Sequence, residues 1–62
     1  MKIEVTYKLF NKSGNYYVAE LFDRTAIIEV VNDEDDLEIK SELSDEIGRP
    51  VNEFKVIKQR TI

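Results

Sequence analysis

The 62-residue sequence contains neither cysteine nor histidine. The absence of cysteine excludes disulfides, thiolate metal sites and thiol nucleophiles, and is typical of proteins in a reducing cytosol. The absence of histidine excludes Ser-His and Cys-His nucleophile activation and the usual general base near neutral pH. Catalysis would have to rest on carboxylates, lysine or tyrosine, so we do not expect an enzyme.

Glycine and long apolar runs are also scarce. Gly14 and Gly48 are the only glycines, which leaves no glycine-rich loop for a phosphate. Residues 32–38 are acidic but lack the alternating ligands and the glycine of a calcium loop. Residues 1–10 alternate polar and apolar side chains, which predicts neither a signal peptide nor a membrane span. We therefore expect a cytoplasmic protein without cofactor, metal or membrane contact.

A chain of this length forms one domain, here residues 1–62. Such a domain buries only about 60% of its unfolded surface, and its core supplies about 3–5 kcal/mol. Self-association would add stability, so we expect a homodimer.

Acidic and basic residues fall in separate segments. Residues 1–32 have no net charge, residues 33–46 carry eight carboxylates against Lys40, and residues 47–62 carry a net charge of +3. This separation is more informative than the total of −4, because it shows which segment would attract a basic partner.

The first half of the chain predicts three strands. Residues 2–10 alternate strictly, as a half-buried strand does. Residues 11–14 are typical of a three-residue hairpin loop closed by Gly14 with positive φ. Residues 15–22 have apolar side chains on both faces, which is typical of a strand in the middle of a sheet. Residues 25–31 are rich in β-branched side chains and predict the third strand.

The predicted loop also sets a register, with Asn11 opposite Asn15. A single register fixes which side chains share a face, because side chains alternate along a strand. The pairs predicted for the core face are Leu9 with Tyr17, Tyr7 with Ala19, and Val5 with Leu21.

In this register the opposite face is too apolar to be simply solvated. It would carry Phe10 together with three side chains that we expect to contact a second copy or a partner. These three are Tyr16, Val18 and Phe22.

Residues 32–47 predict a helix. Asn32 or Asp33 can cap it, because their side-chain oxygens accept from free N–H groups, and Gly48 followed by Pro50 ends it. The apolar stripe that would face the sheet consists of Ile39, Leu43 and Ile47.

Leu37 points away from this stripe. It is therefore exposed, or the first turn is irregular, or residues 37–40 form a short strand; we predict the helix. Residues 51–60 predict a last strand beside the first, with Phe54 and Val56 inward and Lys55 outward. The order is β-β-β-α-β, a small α+β domain with a mostly antiparallel sheet and one helix packed on one face.

Four glutamates recur at a spacing of four along residues 34–46. On a helix this spacing sets a carboxylate about every 6 Å along one side, and each like-charged pair costs roughly 0.2–0.5 kcal/mol. The row is either a solvated face or, as we predict, a docking surface for a basic partner protein. The residues predicted to bind that partner are Glu34, Glu38, Glu42, Asp45 and Glu46.

Two alternatives remain open. A phage or mobile-element inhibitor would use the same acidic row to imitate nucleic acid. A small nucleic-acid-binding protein would instead use Lys55, Lys58 and Arg60 beside Tyr16 or Phe54, with aromatics stacking on bases. The acidic total charge makes nucleic acid the less favoured partner.

Residues 14–23, Gly-Asn-Tyr-Tyr-Val-Ala-Glu-Leu-Phe-Asp, resemble the N-terminal domain of HicB-type antitoxins. The second strand of that family reads Gly-Tyr-Tyr-Val-Ala-Glu, then an apolar residue, Pro and Asp, within a partial RNase H-like fold. This chain departs from the family at residues 22–25, where a Pro-Gly turn is usual, and its helix lacks the alanine-rich pattern. The resemblance implies a stand-alone module that neutralises another protein, without the DNA-binding domain that many of those proteins carry.

Overall fold

The computed structural model describes all residues, 1–62, as an antiparallel four-stranded sheet with one helix on one face. This confirms the predicted α+β class and the β-β-β-α-β order. The helix is too short and too polar to cross a membrane. The elements are β1 (Lys2–Ser13), β2 (Tyr16–Ala19), β3 (Arg24–Glu29), α1 (Asp36–Ile47), a 3-10 turn (Val51–Glu53) and β4 (Phe54–Thr61).

The sheet is built around β1. Residues 2–7 pair with β3 on one edge, residues 3–9 pair with β4 on the other edge, and the last four residues pair with β2. The prediction that residues 15–22 lie in the middle of the sheet is therefore wrong. They form a short exposed strand and the loop that follows it.

The hairpin turn between β1 and β2 contains two residues, Gly14 and Asn15, because Ser13 pairs directly with Tyr16. Gly14 has the predicted positive φ, +65°, and Asn15 does not. Glycine with positive φ at the first central position is typical of a type II′ turn, which matches the twist of the flanking strands. The predicted three-residue loop is therefore wrong.

This shorter turn moves the pairing by three residues. Tyr17 lies opposite Lys12 instead of Leu9. Because three is odd, every side chain of β2 changes face relative to the prediction. Tyr16 and Val18 therefore share the helix side with Asn11, while Tyr17 and Ala19 share the other face with Phe10.

The core lies between α1 and the facing side of β1, β3 and β4. The predicted alternation of β1 is confirmed, since Ile3 and Val5 are fully buried beneath Ile39 and Leu43 of the helix. Burial of side chains of this size contributes about 1.5–3 kcal/mol each. The other buried apolar residues are Tyr7, Leu9, Ile28, Val30 and Phe54.

The helix begins later than predicted. Asp35, rather than Asn32 or Asp33, caps it by accepting from the N–H groups of Leu37 and Glu38. Leu37 is helical and 80% exposed, which selects the first of the three alternatives. The cap moves because Asn32 makes a turn of its own, in which its Oδ1 accepts from the N–H of Glu34 at 2.9 Å.

The helix ends as predicted at Gly48. This glycine has φ +68°, and its N–H donates to the carbonyl of Ser44 at 2.9 Å. The following turn delays β4 until Phe54, three residues after the predicted start, with Phe54 buried and Val56 half-buried as expected.

Candidate protein-binding surfaces

The chain between β2 and β3 forms a four-residue loop, Glu20 to Asp23, on the edge of β1. The N–H of Glu20 donates to the carbonyl of Leu9 at 2.9 Å. Alternate carbonyls of a strand point to the same edge, and the carbonyl of Met1 accepts from Val30 just after β3. Leu9 is an even number of residues from Met1, so β2, the loop and β3 follow one another along the same edge.

A bidentate ion pair closes this loop. Arg24 donates from Nε to Oε1 of Glu20 at 2.8 Å and from Nη2 to Oε2 at 3.2 Å. The hydrogen bond from Arg24 is the main reason that the pKa of Glu20 is lowered, and the same bond raises the pKa of Arg24. Lys8 also lies 3.6 Å from the carboxylate of Asp23. The loop is thus held at both ends by charged groups of the sheet.

Leu21 and Phe22 project from this loop into solvent. Their exposed fractions are 88% and 81%. Tyr16 and Val18, predicted with Phe22 as apolar contact residues, are also exposed on β2. Leu21 was expected in the core opposite Val5, so its exposure corrects the sequence analysis. We call Tyr16, Val18, Leu21 and Phe22 the apolar edge.

The second candidate surface is acidic and lies where α1 borders β3. Glu42, Asp45 and Glu46 are exposed and line a shallow depression of about 460 Å³. Glu29 of β3 adds a fourth carboxylate, which the sequence analysis missed because it lies outside the acidic segment. We call these four residues the acidic depression; Lys2, Ile27 and Ile28 complete its lining.

Glu38 does not belong to this surface. Its carboxylate accepts from the N–H of Val31 at 2.8 Å and from the N–H of Asn32 at 3.0 Å. Its side chain therefore folds back from the first turn of α1 onto the start of the β3–α1 loop. Both carboxylate oxygens of Glu38 are thus used within the fold, and its partner-binding role stays a prediction.

Glu34 is separate as well. It precedes the N-cap Asp35 and is not on the helix, so the predicted four-glutamate row does not form. The structure brings together Glu42, Asp45 and Glu46 and leaves Glu34 at the other end of α1.

Two carboxylates of the acidic depression oppose the helix dipole. Asp45 and Glu46 lie in the last turn of α1, where no basic side chain is present. An anion there faces the negative end of the dipole, at a cost of about 0.3–1 kcal/mol per group. Glu42 and Glu46 add a like-charged pair at spacing four, and neither makes an ion pair.

The sheet face opposite α1, which we call the open face, is mainly basic. Lys8 lies directly opposite Lys55 in the β1–β4 register, and Lys58 lies opposite Thr6. Arg60 is already paired, because its Nε donates to Oε1 of Glu4 at 2.8 Å. The fold therefore separates a basic sheet face from an acidic helix end.

None of these surfaces provides a metal centre, since no group of three or more acidic side chains is placed to hold an ion.

Comparisons with protein-family models, with curated proteins and with solved structures find no match to this chain. The HicB-type resemblance therefore remains a prediction from residues 14–23.

Proposed function

We propose that this protein is a non-catalytic binding module that docks a basic partner protein through the acidic depression. The carrying observation is the placement of Asp45 and Glu46 in the last turn of α1, which contains no basic side chain. A 62-residue domain has little stability to spare, and carboxylates at this end of a helix reduce it. A cationic partner would relieve the repulsion and gain complementary charge.

The apolar edge supplies the second part of the proposal. Leu21 and Phe22 leave most of their surface in water, although burial of each would be worth about 1.5–3 kcal/mol. The Arg24–Glu20 pair holds their loop, so the ordering cost of burying these side chains on binding is reduced. Charge would orient the partner, and apolar burial would hold it.

The resemblance of residues 14–23 to HicB-type antitoxins supports a more specific proposal, in which the module is an antitoxin-like inhibitor. An antitoxin-like inhibitor neutralises its target by covering it, which requires a docking surface and no catalytic group. In this form of the proposal the partner is a basic toxin-like protein.

The test is capture of a partner from nuclease-treated host lysate by the wild-type protein and by two charge-matched variants. Glu42→Lys/Glu46→Lys reverses two charges of the acidic depression, and Glu34→Lys/Asp36→Lys makes the same net change at the other end of α1. The proposal expects the first variant to lose the captured protein and the second to retain it. Equal capture by all three proteins would contradict the proposal.

Binding of nucleic acid by the open face is the second candidate. The observation that favours it is the basic strip of the open face, where Lys55 lies directly opposite Lys8, whose own charge is already paired with Asp23 at 3.6 Å. Lys58 extends this basic strip. Loss of oligonucleotide binding in a Lys55→Glu/Lys58→Glu variant, with no effect of Glu42→Lys/Glu46→Lys, would favour this candidate over the first.

A further inference from the structure

The outer edge of β3 has unpaired backbone groups. Met1 and Val30 exchange two hydrogen bonds, from the N–H of Val30 to the carbonyl of Met1 and from the N-terminal amine to the carbonyl of Val30. Hydrogen-bonded and non-hydrogen-bonded pairs alternate along an antiparallel ladder. Thr25, Ile27 and Glu29 are therefore in non-hydrogen-bonded pairs with β1, and their N–H and C=O groups point outward.

The two free edges of the sheet differ in their protection. The β4 edge carries Lys55, Lys58 and Arg60, and a register shift at Ile57 interrupts it. Lysines and bulges of this kind discourage another strand from pairing. β3 pairs regularly with β1 from Arg24 to Glu29, and its edge has neither a lysine nor a bulge.

The acidic depression lies along this unprotected edge. Ile27, Ile28 and Glu29 line it from the strand, and Glu42, Asp45 and Glu46 line it from α1. A strand added beside β3 would direct alternate side chains to the helix side, next to these three helix carboxylates. The remaining side chains would lie on the open face, next to Thr25 and Ile27.

We propose that β3 is a docking edge for an extended segment of the partner that carries lysine or arginine at every second position. This inference rests on the proposed function and specifies how the partner binds, by adding a strand to the sheet. Backbone hydrogen bonds would supply affinity that does not depend on sequence, and the helix carboxylates would select basic side chains.

A second copy of this chain fits the same edge poorly. Pairing β3 with β3 of another copy would place the two acidic depressions side by side, and like charges so close repel. Charge therefore favours pairing of β3 with a basic strand over pairing with β3 of a second copy.

The test uses a synthetic seven-residue peptide of alternating lysine and valine as the probe. We expect it to bind wild-type protein and to slow the hydrogen exchange of the Thr25, Ile27 and Glu29 amides, with β4 amides unchanged. A glutamate-valine peptide and a lysine-valine peptide with a central proline should bind at least tenfold more weakly. Equal binding by the proline peptide, or protection confined to β4, would overturn the proposal.

Two variants separate backbone pairing from charge. Ile27→Pro removes an outward N–H that makes no bond within the protein, as an edge strand tolerates, and should weaken the peptide at least tenfold. Glu42→Gln/Glu46→Gln should weaken it with a lower salt dependence, whereas Glu34→Gln/Asp36→Asn should leave it unchanged. If Ile27→Pro does not fold, the proline-containing peptide still tests backbone pairing, and the two charge variants test the role of the carboxylates.

The outcomes also separate this inference from the proposed function. Partner capture that needs Glu42 and Glu46, without peptide protection at β3, would overturn strand addition and leave the function standing. Peptide protection at β3 without any captured partner would support the edge and contradict the function. A concentration-dependent dimer that Ile27→Pro abolishes would overturn the inference in favour of a second copy.

Discussion

Arg24 binds Glu20 through two hydrogen bonds that close the loop between β2 and β3. The pair keeps Leu21 and Phe22 at the tip of a short loop, away from the core. It also links the order of the apolar edge to pH, because Glu20 must be ionised to accept both bonds.

The first prediction is a pH dependence of this loop. A carboxyl whose pKa is lowered in the folded state adds stability that is present above its unfolded value and is lost as pH falls through the folded value. The Glu20 pKa is lowered from 4.5, chiefly by Arg24, so the loop should be unaffected from pH 7 down to that value and should loosen below it. Carboxyl NMR titration should show the Glu20 pKa rising towards 4.5 in Arg24→Gln and staying low in the control Lys40→Gln. An unchanged Glu20 pKa in Arg24→Gln would contradict this account.

The second prediction concerns Glu38, which supports the β3–α1 loop. Glu38→Ala removes the acceptor for the N–H groups of Val31 and Asn32 and should lower the free energy of unfolding by about 1–2 kcal/mol. Glu42→Ala, which has no partner in the structure, should change it by less than about 0.5 kcal/mol. Urea unfolding of both variants measures the difference. Equal stability of the two variants would show that the Glu38 hydrogen bonds contribute nothing.

The third prediction concerns self-association. The expected homodimer would use the apolar edge, so Leu21→Ser/Phe22→Ser should reduce any dimer seen by light scattering. Both side chains are exposed, and the substitution should therefore leave the urea midpoint nearly unchanged. A matched exposed substitution away from this edge, Leu37→Ser, should leave the dimer intact. Dimer loss in Leu37→Ser, or none in Leu21→Ser/Phe22→Ser, would place self-association elsewhere.

Local patterns in the sequence predicted the parts of the fold that depend on neighbouring residues. The alternation of β1 placed Ile3 and Val5 in the core, and the spacing of Ile39 and Leu43 gave the buried side of α1. Gly48 marked the end of the helix for an equally local reason, since its positive φ suits glycine.

The error in the β2 register arose because one glycine is compatible with two different hairpin turns. Gly14 suits either the last position of a three-residue loop or the first position of a two-residue turn, and the choice reverses every side chain of β2. With the three-residue loop, Leu21 was predicted in the core, although the structure exposes it.

The candidate site was only partly predictable because its membership depends on tertiary contacts. Glu38 has the same spacing as Glu42, but its carboxylate is bound by backbone N–H groups of the preceding loop. Glu29 joins the acidic depression only because α1 packs along β3. No pattern within residues 34–46 distinguishes Glu38 from Glu42, and Glu29 lies outside that segment.

The fourth prediction sets stability against binding at the end of α1. Glu46→Lys removes a like-charged neighbour of Glu42 and places a cation at the negative end of the helix dipole. The free energy of unfolding should rise by about 0.3–1 kcal/mol. The same change should weaken partner binding, because a cation would then face a basic partner.

The central claim is tested most directly by two measurements on Glu46→Lys: its free energy of unfolding in urea and its capture of the partner. Glu34→Lys is the charge-matched control. The account predicts that Glu46→Lys is more stable than wild type and captures less partner, whereas Glu34→Lys captures as much as wild type. A Glu46→Lys protein that is more stable and still captures its partner fully would show that the acidic depression is only a solvated surface.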